Sequence, residues 1–187
     1  MRGAPERKVA AERSSLDADG RFCGYASLFG RADLSGDIVM PGAFAATLRA
    51  RGTAGVGLYL EHDPKAVIGH WLVMEEDARG LWVEGSLGGS LDAARAARLM
   101  RLGKLDGLSI GFRTVRSEED RAARVRRLTE IDLWEVSVVS APMLPEARAR
   151  AAGAGRAVAG GMTSIPAVDA GLVAQVRRST ALIRQTR

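Results

Sequence analysis

The side chains best suited to chemistry in this sequence are Ser109, His62 and Glu135. Ser109 lies within Gly107-Leu108-Ser109-Ile110-Gly111, a G-x-S-x-G pattern. Its two glycines permit close backbone approach around the hydroxyl, which a nucleophile and its oxyanion site both need. The pattern alone is weak, because glycines flank structural strand serines readily. The serine–acid–histidine order of an α/β-hydrolase is excluded within one chain, since both histidines, His62 and His70, precede Ser109. His62 follows the apolar Leu58-Tyr59-Leu60 and precedes Asp63-Pro64, which places it at a strand end facing a turn. A general base needs partial access and a pKa near neutrality, and such a position can supply both. The plainer reading is a surface histidine with Asp63 as a solvated neighbour. His70, inside Val67-Ile68-Gly69-His70-Trp71-Leu72, reads as a packed strand histidine.

The third member comes from the stretch 128–140. Strand alternation puts Ile131, Leu133, Glu135, Ser137 and Val139 on one face, with Glu130, Asp132, Trp134, Val136 and Val138 on the other. Glu135 then lies among apolar neighbours and needs a partner. An imidazole N–H would serve, and a salt bridge to an arginine is at least as common. Asp132 is the alternative acid if the register slips by one residue. Cys23 sits in an apolar run with no adjacent base, so it reads as a buried thiol. Glu75-Glu76-Asp77 reads as a solvated acidic turn without the spacing of a metal loop. No phosphate-binding glycine loop and no aromatic platform in a basic stripe occur. No metal or cofactor is expected.

Several elements must position these groups. Residues 21–29 read as a strand with a bulge, punctuated by Gly20, Gly24 and Gly30. Pro41 suits a helix start, with Phe44 and Leu48 one turn apart and Gly52 as a stop. Four strand-like runs follow at 56–60, 67–75, 80–87 and 107–115, with Asp77-Ala78-Arg79 as a hairpin turn. Residues 90–102 form the clearest helix, with Ser90 as N-cap and Gly103 beyond its end. Ser117-Glu118-Glu119-Asp120 reads as an acidic turn, and 125–140 as a long strand or strand pair ending at Pro142. Strands joined by short turns predict a mainly β, α+β fold: an antiparallel sheet or barrel with peripheral helices.

The 187 residues, 47% hydrophobic and 26% charged, give a core ample for one domain and thin for two. No apolar run is long enough to span a membrane, and the N-terminus has no apolar secretory region. The single cysteine excludes an internal disulfide and a cysteine-cluster zinc site, and suits a reducing cytoplasm. The net charge of +5 is uneven. Residues 147–187 hold seven arginines and one acid, Asp169, so the body before them is slightly acidic and has no electrostatic case for nucleic acid. The expected organisation is a flexible lead-in at 1–19, one domain at 20–146, an Ala/Gly/Arg-rich linker at 147–165, and an amphipathic basic helix at 166–187.

Four segments in order give these residues a context: Gly36-Asp37-Ile38-Val39-Met40-Pro41-Gly42-Ala43-Phe44; Leu60-Glu61-His62-Asp63-Pro64-Lys65-Ala66-Val67-Ile68-Gly69; Gly107-Leu108-Ser109-Ile110-Gly111-Phe112; and Leu133-Trp134-Glu135-Val136-Ser137-Val138-Val139-Ser140-Ala141-Pro142. Together they resemble the prohead (capsid maturation) serine proteases of tailed bacteriophages, also found in prophages and gene transfer agents. The resemblance covers roughly residues 20–146. It implies an antiparallel β-barrel similar to the herpesvirus assemblin proteases. It also implies a serine endopeptidase that trims the scaffolding segment of the major capsid protein, and often itself, inside the assembling prohead in the host cytoplasm. Ser109 takes the nucleophile position, His62 the base position, and Glu135 matches the acid after the serine. Asp63 matches the motif in a turn role. The ending Ser140-Ala141-Pro142-Met143 departs from the family's Thr-Phe-Pro-Ala type, and the tail from Ala147 matches no family motif. The implied partners are the capsid protein and its scaffolding segment, with self-association into a homo-oligomer also compatible. The rival reading is a non-catalytic assembly module that binds capsid protein through its basic tail.

Overall fold

A computed structural model describes residues 14–153. The basic helix expected at 166–187 lies outside the described residues. Strand β1 (Arg21–Leu28) is the centre of a four-stranded sheet. It pairs antiparallel with β6 (Gly80–Leu87), which in turn pairs with β5 (Gly69–Glu76). The bulge expected in the first strand falls between Tyr25 and Ser27. On its other side β1 pairs with β9 (Ala149–Ala151), so a strand occupies part of the stretch read as linker. The end of the expected lead-in is also ordered, since the buried Ser15 hydroxyl donates to the Met100 and Leu105 carbonyls.

The second sheet is organised by β8 (Val125–Val139). Its full length pairs antiparallel with β7 (Gly107–Asp120). Along its opposite edge two strands pair parallel in succession: β2 (Asp37–Val39) on 126–128, then β3 (Gly57–Leu60) on 135–138. The gap between them is filled by the short helix α1 (Ala45–Arg51) and the turn before it. Ile131 N–H donates to the Ala43 carbonyl, Leu133 N–H to Thr47 Oγ1, and Thr47 Oγ1 and Arg51 Nη1 donate to the carbonyls of Ile131 and Leu133. A helix thus substitutes for a strand and leaves few backbone groups unsatisfied. Arg126 forks onto Asp37 at 2.8 and 2.5 Å and fixes the register of β2. β4 (Asp63–Val67) closes the order β2-β8-β3-β4. Helix α2 (Leu91–Arg101) begins at Ser90, whose hydroxyl accepts from Ala93 N–H.

The expected barrel does not form: the strands lie in two sheets, and neither closes on itself. Between the sheets, β9 is three residues long and pairs with β1, and only an isolated bridge, Gly107 with Arg148, reaches β7. The all-antiparallel expectation is corrected too, because residues 37–60 run alongside β8 in its own direction. Residues 117–120 are not a turn but the end of β7. There Glu118 and Glu119 face Arg127 and Arg126 across the ladder, which offsets their like charges. The core between the layers includes Phe22, Phe44, Leu58, Ile68, Leu81, Leu108 and Leu133, all essentially inaccessible to solvent.

Candidate active site

β3 and β4 are joined by two residues, Glu61 and His62, across the pair Leu60–Asp63. Both residues have positive φ, 51° and 61°. A two-residue hairpin turn that follows the natural strand twist requires this, and it is costly for side chains other than glycine or asparagine. The turn is held at several points. Glu61 N–H donates to the Val138 carbonyl, its carboxylate accepts from Ser140 N–H, and Asp63 accepts from Lys65 N–H. Asp63 therefore works in the turn. His62 is carried at the tip, its side chain 43% exposed and aimed back over β8.

There it meets Glu135, with Nδ1 2.6 Å from Oε1. A carboxylate only accepts, so Nδ1 carries the hydrogen and Nε2 is left to take a proton. Glu135 is largely buried, and the sheet makes room for it. Its ladder neighbours are Gly57 on β3 and Gly111 on β7. A Cβ at Gly111 would stand 2.1 Å from Glu135 Oε1, so only glycine leaves the carboxylate its slot. Gly111 was expected to clear space around the Ser109 hydroxyl; the group it clears space for is the Glu135 carboxylate. Gly107 permits close passage of another kind, since a Cβ there would meet the Val139 carbonyl at 2.6 Å and Pro142 at 2.7 Å.

Ser109 stands directly opposite Ser137 in the β7–β8 ladder, one same-face position beyond the Gly111–Glu135 pair. Cross-strand partners share a face, so Ser109, Ser137 and Glu135 lie together on it. Ser137 donates its hydroxyl to Glu135 Oε2. That contact was not foreseen, although alternation had already put Ser137 beside Glu135. Ser109 is 4% exposed and borders a cavity of about 180 Å³, whose walls include Val39, Phe112, Leu128 and Leu144. Among the described residues no hydrogen bond joins Ser109 Oγ to His62, whose side chain bonds Glu135. Catalytic contacts of this kind are often long before substrate binds.

The alternative acid is engaged elsewhere. Asp132 binds Arg51 at 2.6 Å and Arg113 at 3.4 Å, and accepts from Trp134 Nε1 at 3.0 Å. His70 is not packed: Trp71 takes the inward position on β5 and alternation turns His70 to solvent. Glu76 is no solvated turn residue, since it accepts from Phe44 N–H at 2.8 Å just before α1. Cys23 is buried, and that burial pushes its thiol above the ordinary range, which keeps it a poor nucleophile. Among the described residues no group of three or more His, Cys, Asp or Glu is placed to hold a metal ion. No helix among them is long and apolar enough to cross a membrane.

Comparison with known proteins gives this arrangement a family. Residues 8–158 match the caudovirus prohead serine proteases, and the chain belongs to that family. It is 36% identical over 126 residues to the prohead protease of Enterobacteria phage HK97, covering 66% of this chain and 56% of that protein. Against the prohead protease of Escherichia phage T5 it is 36% identical over 81 residues, 43% of this chain and 38% of the other. The chain thus spans about half the length, or less, of these curated relatives. Among solved structures, the bacteriophage T4 capsid assembly protease superposes with a TM-score of 0.51 at 13% identity, over 63% of this chain and 80% of that one. That likeness speaks to the fold.

Proposed function

We propose that this chain is a serine endopeptidase in which Ser109 is the nucleophile, His62 the general base and Glu135 the group that orients the imidazole. The observation that carries the reading is the 2.6 Å contact of His62 Nδ1 with Glu135 Oε1, made on the strand face that also presents Ser109. Ser109 Oγ attacks a peptide carbonyl carbon while His62 Nε2 takes its proton. The resulting oxyanion is met by backbone N–H groups. As the C–N bond breaks, the imidazolium returns the proton to the leaving amine. Water, activated by the same nitrogen, then releases the acyl group and restores Ser109. Glu135 holds the productive tautomer throughout and offsets the positive ring. The cavity beside Ser109 gives room for one substrate side chain.

Family membership supports a substrate in the immature capsid: the scaffolding segment of the major capsid protein, and the chain's own tail. The test is intact mass over time for the wild type and Ser109→Ala, each co-expressed with a major capsid protein that carries its scaffolding segment. Shortening by the wild type alone is expected. Equal shortening by both sinks Ser109 as the nucleophile. No shortening by either, with both assembling onto capsid protein, makes the chain an assembly module instead.

A further inference from the structure

We propose that Ser137 is a positioning residue that locks the Glu135 carboxylate onto His62, an inference that rests on reading Ser109, His62 and Glu135 as one catalytic set. The two oxygens of Glu135 face different donors: Oε1 takes His62 Nδ1–H and Oε2 takes the Ser137 hydroxyl. A glutamate's last torsion is broad, so one hydrogen bond alone would leave the carboxylate free to swing. Held at both oxygens, it can swing only by breaking a bond in a slot that is itself largely buried. Ser137 is 0% exposed, and its single hydroxyl hydrogen is committed to Glu135. Its place is set by the strand itself, two residues beyond Glu135 and directly opposite Ser109. Bonds from a neutral donor to a buried carboxylate are among the stronger ones, because no water can replace the donor once it is lost. Ser137 touches no reacting atom in this scheme. It acts through Glu135 on the imidazole.

Only two histidines are present, so their imidazole resonances can be followed separately by NMR and assigned with His62→Ala. The measurement uses the full chain in a Ser109→Ala background, which removes self-cleavage. Ser137→Ala should lower the His62 titration midpoint by about 0.5 pH unit or more, because the imidazolium loses a fixed carboxylate. His70, exposed on β5, should not move. Ser137→Thr, which keeps the hydroxyl, should restore the parent midpoint. Other charged groups around the His62 turn are Glu61, Asp63 and Lys65, with Asp92 and Arg95 from α2, and they are identical in every variant. With Ser109 present, kcat/KM of Ser137→Ala should fall about tenfold, the scale of one charge-assisted hydrogen bond, and its acid limb should move to lower pH.

A folded Ser137→Ala chain whose His62 midpoint equals the parent's overturns the proposal. Should that variant fail to fold, Ser137→Cys against Ser137→Thr decides it. The weak thiol donor should lower the midpoint and the hydroxyl should not, and equal midpoints again overturn it. Proteolysis that survives Ser109→Ala would instead remove the catalytic reading, while a shifted midpoint would still stand as the hold of Ser137 on the Glu135–His62 pair.

Discussion

Glu135 and Asp132 lie three residues apart on one strand and are treated by the fold in opposite ways. Asp132 is met by two arginines and an indole N–H, partners that tie it into a cluster of ion pairs. Glu135 is met by an imidazole and a hydroxyl and, among the described residues, by no arginine, in a slot bounded by glycines on both neighbouring strands. An arginine cannot give up its proton, so a carboxylate held by one is a structural tie. A histidine can, so the same carboxylate beside it becomes a means of steering a proton. One residue of strand register separates a carboxylate tied to arginines from one that faces an imidazole.

That contrast can be broken most forcefully at Glu135 itself. Glu135→Gln should cost roughly a thousandfold in kcat/KM, because an amide no longer selects the tautomer and no longer offsets the imidazolium. A loss no larger than that of Asp132→Asn would erase the distinction. Next in size, Gly111→Ala should cost about a hundredfold, since its methyl would stand where Oε1 now sits and must push the carboxylate off His62. Near-normal activity of Gly111→Ala would show that the glycine slot is not needed. The smallest effect on catalysis is expected at Asp132. Asp132→Asn should leave kcat/KM within about threefold and lower stability by about 1 kcal/mol, read as a modest fall in Tm, because its ion pairs are partly exposed.

Much of this site was legible in the sequence because it depends on local rules. Period-two alternation along 128–140 separates Glu135 from Asp132, and the strand-end position of His62 follows from Leu58-Tyr59-Leu60 giving way to Asp63-Pro64. The strand β4 was hidden, since Asp63-Pro64-Lys65 carries turn residues and its strand character comes only from pairing with β3. Residues 117–120 misled for a related reason: their charge suggests a turn until Arg126 and Arg127 are set opposite them. The barrel expectation failed at a still longer range. Whether a sheet closes depends on which edges meet, and strands as short as β9 leave no trace of that in periodicity. The role of Gly111 was equally invisible, because the atom that needs its missing side chain belongs to a residue on another strand.

The stand-in of α1 for a strand has a consequence for how the molecule breathes. Ile131 and Leu133 find their acceptors only in Ala43 and Thr47, at the start of a seven-residue helix, while the ladders at 126–128 and 135–138 are held by true strands. Undocking that helix bares two amides in the middle of the longest strand and leaves both its ends closed. β8 is therefore softest at its centre, three residues before Glu135, and deuterium should enter there before it enters either end.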